Sequence, residues 1–454
     1  MDNLHNNSVS DGVTRDELDG LTKEELIERV VSMQSHIRQL KNILMKKTVQ
    51  TNGVSKKCPK NERPFDFSRY KTRHIAMKIL YLGWDYLGFT AQEWTQETIE
   101  EPLFDALLKT RLIQSRQTSN YHRCGRTDKG VSAFSQIISL DIRTNLKTGR
   151  GVITPENYIE REDQRNSGDN ETIQEINYSL ILNSVLPENI RVICWSPVES
   201  DFSARFSCKS RTYKYLFPKS NLDIDRMRIA SNYLLGDHDF RNLCKMDINN
   251  GVINYKRKIF TVDLKQFSDD NNINSNSSMY TLTITGRAFL WHQIRCIVAL
   301  LFLIGQHKEE PNIIEELLDI DKHPNKPQYC MSADFPLILF DCSFSDNDIN
   351  DWIYDKKALT QLVTDLQKLW TRHAIKADII KLMLNSLTED LKTRFSCDND
   401  FSTFSAHIEA LSMGVRNKLY KPLLDRPVCE SLEGRLSKSN KRTKLSNQVN
   451  ESLK

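Results

Sequence analysis

The sequence predicts an α+β protein in which helices cover one side of an antiparallel sheet. Two observations carry this prediction. Runs with strand-like alternation occur in both halves of the chain, among them "HIAMKILYLG" from His74 and "RTYKYLF" from Arg211. Helical segments follow such runs in each half, "EEPLFDALLKTRLI" in the first and "FLWHQIRCIVALLFLIG" in the second. A third observation sets the scale: 454 residues, 39% apolar and 27% charged, suffice for about two to three domains.

Residues 1–20, beginning "MDNLHNNSVSDGV", are polar and are expected to be disordered. They have neither the basic start nor the apolar core of a secretory signal, which points to the cytoplasm and nucleus. Leu26, Val30, Met33, Ile37, Leu40 and Leu44 then recur in steps of four and three behind a Thr22 to Glu25 capping box. Residues 21–47 therefore read as a coiled coil, and a homodimer is the expected assembly. A polar linker fills 48–70.

In the first strand Ile75, Met77, Ile79 and Tyr81 share a face. After a glycine-punctuated turn and a helix comes "YHRCGRTDKGVSAFSQIISL" from Tyr121. Gly125 and Gly130 bracket a loop in which Arg123, Arg126 and Lys129 crowd around Asp128, and a strand follows with Gln136, Ile138, Leu140 and Ile142 on one face. Such a charge cluster is commonly no more than a solvated turn. Stretches from Arg161 and Ser268 read as solvated insertions. In the second half Arg211, Tyr213, Tyr215 and Phe217 share a face, and "MYTLTITG" is another strand. Leu359, Leu362, Val363, Leu366 and Leu369 mark a helical extension over 346–425, and a basic tail, expected to be disordered, covers 426–454.

The longest apolar run, Cys296 to Ile304, is too short to span a bilayer, so no membrane partner is expected. Ten cysteines without a CxxC pair and ten histidines without HExxH spacing give metal catalysis no support. The net charge of +4 says little, but its distribution says more. The Asp128 loop and "ARFSCKSRTYKYLF" from Ala204 combine cations with aromatics, which suits a phosphate backbone with bases to stack, and "RLSKSNKRTK" adds a third basic stretch. Arg295 stands just before nine apolar residues, where a cation is costly unless paired, and Asp128 is its natural partner. By itself Tyr213 reads as an aromatic core residue, and His292 as a structural histidine.

"GRTDKGV" resembles the catalytic loop of tRNA pseudouridine synthases of the TruA type, whose pattern is close to G-R-T-D-x-G-V. "LYLGWDYLGFTAQ", "LPENIRV", "DFSARFSCKSRTYKY", "GRAFLWHQIRCIVALL" and "ADFPLILFDCSF" agree in order and distance, over about residues 74 to 345. The resemblance implies two ferredoxin-like halves, 71–203 and 204–345, joined into one extended sheet with a basic cleft between them. It further implies conversion of uridine to pseudouridine in tRNA without a cofactor. Asp128 matches the catalytic aspartate, Arg126 the arginine two residues before it, and Tyr213 the tyrosine against the target base; Arg205 and Arg295 match basic cleft residues. Tyr81-Leu82-Gly83 departs from the usual Tyr-Asp-Gly, Phe89 replaces a tryptophan, and Lys129 replaces a small residue. The N-terminal helix, Lys129, the extension and "RPVCESLEGR" resemble the eukaryotic branch acting on positions 38 and 39 of the anticodon stem-loop.

The chemistry needs one ionised carboxylate, to attack the ribose C1′ or to take the 2′ proton, and a nearby arginine favours that charge. Two other readings stand beside it. A non-catalytic tRNA-binding or adaptor protein would keep the basic cleft and the heptads without needing Asp128. Phosphoryl transfer through an aspartyl phosphate at "TDKGVS" is disfavoured, because the preceding apolar strand is missing and Gly130 stands where a second aspartate belongs.

Overall fold

The computed structural model describes residues 65–159, 174–247, 252–267, 278–395, 406–414 and 419–438. The chain divides at Phe65, and the fold described below belongs to the unit from Asp66 onward. The expected coiled coil, most of the linker, the bulk of both insertions and the last sixteen residues of the tail lie outside the described residues.

The first half is built on β1 (Lys71–Tyr81), which α1 (Glu100–Lys109) covers through Leu103, Phe104 and Leu107. Strands β2 (His122–Arg123), β3 (Ser132–Thr144) and β4 (Val152–Ile153) follow. Helix α2 (Tyr178–Asn183) begins at Asn177, whose side-chain oxygen accepts from the Leu180 amide, and leads to β5 (Ile190–Pro197). β1 lies between β3 and β5, antiparallel to both. Ile75, Met77, Ile79 and Tyr81 are fully buried in this core, as their spacing predicts.

The second half has β6 (Ser210–Pro218), α3 (Ile224–Asn232), β7 (Gly236–Asp239), β8 (Lys256–Gln266) and β9 (Met279–Gly286), followed by α4 (Gln293–Gly305) and α5 (Ile313–Leu318). Tyr215 and Phe217 of β6 meet Ile297, Leu301 and Phe302 of α4 in a second core. Apolar spacing alone carries the helix back to Phe289, but α4 starts only at Gln293, because His292 adopts a left-handed φ of 59°.

The two halves are joined by β10 (Leu337–Ser343), which runs parallel to β3 on one side and antiparallel to β6 on the other. Its Leu337 enters the second core and its Leu339 the first. Among the described residues the result is a ten-stranded, mainly antiparallel sheet ordered β4-β1-β3-β10-β6-β9-β8-β7, with β5 also on β1 and β2 on β3. The predicted α+β class and extended sheet are therefore observed.

The extension is dominated by a 40-residue helix, α6 (Lys356–Phe395), about 60 Å long at 1.5 Å per residue, while Ile408, Leu411 and Leu423 beyond it are buried in the second core. Leu362 packs on Leu80, Ile193 and Cys194. Leu80 points away from the face that Ile79 and Tyr81 present to α1, so α6 covers the opposite side of the sheet. Arg191 and Asp365 fix it there with a 3.1 Å ion pair. In the segment expected as a tail, Leu432 is buried in the second core and Arg435 donates to the Met246 carbonyl. No helix among the described residues is long and apolar enough to cross a membrane.

Candidate active site

Asp128 sits on the loop between β2 and β3, and the loop is pinned on several sides. Gln136, fully buried in β3, accepts from the Gly125 amide and donates to the Gly125 carbonyl. Tyr81 at the end of β1 shares a 2.7 Å hydrogen bond with Thr127. Gly130 has a φ of +77°, which favours glycine on conformational grounds, and a Cβ there would also stand 2.8 Å from Asp334 Oδ1, so that side chain would have to shift.

The Asp128 side chain is 29% exposed. Trp291 Nε1–H donates to its Oδ1 at 3.1 Å, and His292 Nε2 stands 3.6 Å from its Oδ2. Burial pushes the carboxyl up to about 6, with nearby Asp334 adding to the rise. Arg295, the Trp291 hydrogen bond and Lys245 pull it the other way. The group is therefore largely ionised at pH 7. Burial, then Arg295, Lys245 and Lys326, lower the His292 imidazole to about 4. His292 is thus neutral at pH 7, and its contact with Asp128 is not an ion pair.

Across from the carboxylate, Tyr213 on β6 meets Phe289 edge-on at 5.2 Å. Burial raises its phenol well above the ordinary value, so it stays protonated. The cleft between these walls has a volume of about 780 Å³. Six arginines line it, at 123, 126, 205, 211, 287 and 295, and Asp128 is the sole acid among the lining residues. Such a cleft draws in a polyanion and presents one reactive carboxylate to it. Exposed Phe206 and Trp291 at its walls offer surfaces for bases.

A sequence model of the family described as tRNA pseudouridine synthase matches residues 230–345. The chain is 44% identical to the tRNA pseudouridine(38/39) synthase of Bos taurus over 444 residues, 93% of this chain and 89% of that protein. The chain belongs to the tRNA pseudouridine synthase family. To the tRNA pseudouridine(38/39) synthase of Saccharomyces cerevisiae it is 36% identical, over 83% of this chain and 82% of that protein. To the tRNA pseudouridine synthase A of Methanosarcina mazei it is 27% identical, over 68% of this chain and 98% of that protein.

In this synthase all five residues singled out from the sequence, Arg126, Asp128, Arg205, Tyr213 and Arg295, line the one cleft. The partners of Arg295 and of Arg123 differ from expectation. Arg295 is 3% exposed and donates through Nε to the Ser332 carbonyl, which brings Asp334 to 3.7 Å from its Nη2. Asp334, two residues beyond that anchor, is thus its direct partner, and Asp128 feels Arg295 only through its charge. Arg123 turns from Asp128 to Glu100, a fully buried carboxylate at the start of α1 that also accepts from Tyr121 and Arg116. A buried carboxylate needs such partners, whereas Asp128 reaches solvent.

Sequence reasoning missed Trp291, His292, Gln136 and Glu100. Trp291 and His292 stand in the resembling segment "GRAFLWHQIR", but nothing in their spacing says that they face a loop 163 residues earlier. Gln136 carried no signal beyond its place in a strand.

Proposed function

We propose that this enzyme converts uridine to pseudouridine at positions 38 and 39 of the tRNA anticodon stem-loop, with Asp128 as the reacting carboxylate. The observation that carries the reading is the lone Asp128 carboxylate in a cleft lined by six arginines. Hydrolysis of a glycosidic bond generally takes a pair of carboxylates. Here the second acid nearby, Asp334, is engaged with Arg295. A single carboxylate fits a reaction that detaches the uracil, turns it within a closed pocket and rejoins it through C5. Ionised Asp128 attacks C1′ or takes the 2′ proton; either act needs the charge that it largely holds at pH 7.

The target uridine must leave its stack, at a cost of a few kcal/mol. Tyr213 stacking on the extruded base returns about 1–3 kcal/mol. With its phenol protonated, Tyr213 acts as a stacking surface and hydrogen-bond donor rather than as a base. Arg126 and Arg205, both exposed at the cleft, hold phosphates. The names of the mammalian and yeast relatives support the choice of positions 38 and 39.

Tritium release from transcripts labelled at uridine C5 tests the reading. Wild-type enzyme is expected to release tritium, and Asp128→Asn to lower the rate at least about 10³-fold. Transcripts lacking uridine at 38 and 39 should release none. Undiminished release by Asp128→Asn would remove the carboxylate from the mechanism, and release from transcripts without those uridines would remove the positions.

A homodimer is part of the proposal. It is supported by α6, where Ile380, Leu384, Leu387 and Leu391 recur at steps of four, three and four and are 42–67% exposed.

A further inference from the structure

Three cysteines far apart in the sequence converge beside the cleft, two of them, Cys124 and Cys208, on its wall. The sulfurs of Cys124, Cys208 and Cys342 all lie within 4.8 Å of one another, and all three residues are buried. Each comes from a different part of the fold. Cys124 is the last residue before the Gly125 end of the Asp128 loop, and its amide donates to the Ile137 carbonyl at 2.8 Å. Cys342 lies in β10, paired in register with Arg211 of β6. Cys208 stands two residues ahead of β6, its Sγ 3.3 Å from the Ser210 carbonyl.

We propose that Cys124, Cys208 and Cys342 form a three-thiolate site for a thiophilic d¹⁰ divalent cation, zinc being the expected occupant. Tetrahedral zinc with Zn–S bonds of about 2.3 Å places its sulfurs about 3.8 Å apart, so the triangle need contract by only about 1 Å or less. Cys208 is the ligand free to adjust, since Cys124 and Cys342 are held by backbone pairing. Cys124 and Cys208 both reach the cleft wall, which leaves the fourth position to water from that side. Charge also balances. Three thiolates and one divalent cation carry −1, and Arg211, which donates to the Cys124 carbonyl at 2.8 Å, supplies +1 at the same place.

Bound metal would tie the approach to the Asp128 loop, the entry to β6 and the central strand β10 into one unit. This goes beyond the isomerase reading and does not depend on which uridine is modified. The expectation of no metal site from the sequence rested on local spacing, and a cluster assembled from three distant segments has none.

The test is a cadmium titration of the full-length, reduced protein, following the sulfur-to-cadmium charge-transfer absorption, with zinc as competitor and metal content measured by mass spectrometry. One equivalent per chain, displaced by zinc, is expected for the wild type and for Cys330→Ser, which alters an exposed thiol. Cys208→Ser should bind at least tenfold more weakly, and zinc should raise the thermal midpoint of the wild type but not of this variant. No charge-transfer band in the folded wild type would overturn the proposal. So would a band of full strength in both Cys208→Ser and Cys342→Ser, or a mass two daltons low that shows a disulfide among the three. Tritium release is read separately, so a failure here leaves the isomerase reading standing.

Discussion

Asp128 occupies surroundings that work against its own charge, and Arg295 and one hydrogen bond offset them only in part. Burial leaves the carboxyl raised to about 6 even though the charge of Arg295 and then the hydrogen bond from the Trp291 indole draw it down. The reacting form is the ionised one, so the rate should climb with pH through a midpoint near 6 and level off above about 7. Trp291→Phe removes the donor, the carboxyl rises further, and the limb moves toward neutral pH. The variant should lose several-fold more activity at pH 6 than at pH 8, as read from kcat/KM across that range. An equal loss at every pH would mean that Trp291 only shapes the cleft. His292, already neutral at pH 7, contributes no titration of its own near that midpoint.

At the scale of elements, α6 poses the clearest question. Its first turns pack on β1 and β5 through Leu359, Leu362 and Leu366, but the row from Ile380 to Leu391 faces solvent. An apolar row at heptad spacing on a long helix requires cover, and a second copy of the same helix supplies a matching row. Leu384→Glu combined with Leu387→Glu should halve the mass seen by light scattering while leaving the circular dichroism unchanged. An unchanged mass would place the dimer contact elsewhere or abolish it. Strands β1, β3, β6 and β9 and helices α1, α4 and α6 were legible in the sequence because alternation and apolar spacing are local properties, as β9 over "MYTLTITG" shows; the shorter strands and helices carry too few residues for either period to stand out. The Asp128 loop was legible from its bracketing glycines, its crowded charges and the "GRTDKGV" motif, all contiguous in the sequence. The Trp291 contact was not, because it depends on a left-handed turn at His292 that periodicity cannot register. Glu100 was hidden as an ordinary acid at a helix start, and only the packing of α1 reveals that it is fully buried.

At the scale of the whole molecule, the cleft is an electrostatic device as much as a chemical one. With six arginines lining it, of which Arg123 and Arg295 are paired with Glu100 and Asp334, the cleft keeps an excess of positive charge, and tRNA affinity should fall steeply with salt. Arg205→Ala should weaken binding to all tRNA sequences alike and reduce the slope of log K against log salt by about 1. A slope unchanged from the wild type would show that Arg205 makes no phosphate contact. The position of β10 has a further consequence. It is the last strand of the sheet in chain order, yet it lies between β3 and β6 at its middle. During synthesis most of the first core can gather before residues 337–343 leave the ribosome, but the place of Leu339 in that core and the strand edges that β10 will occupy stay open until then. Assembly of the cleft is thus a late, non-local step, and a chain halted before Leu337 would hold the Asp128 loop and Tyr213 without the strand that brings them together.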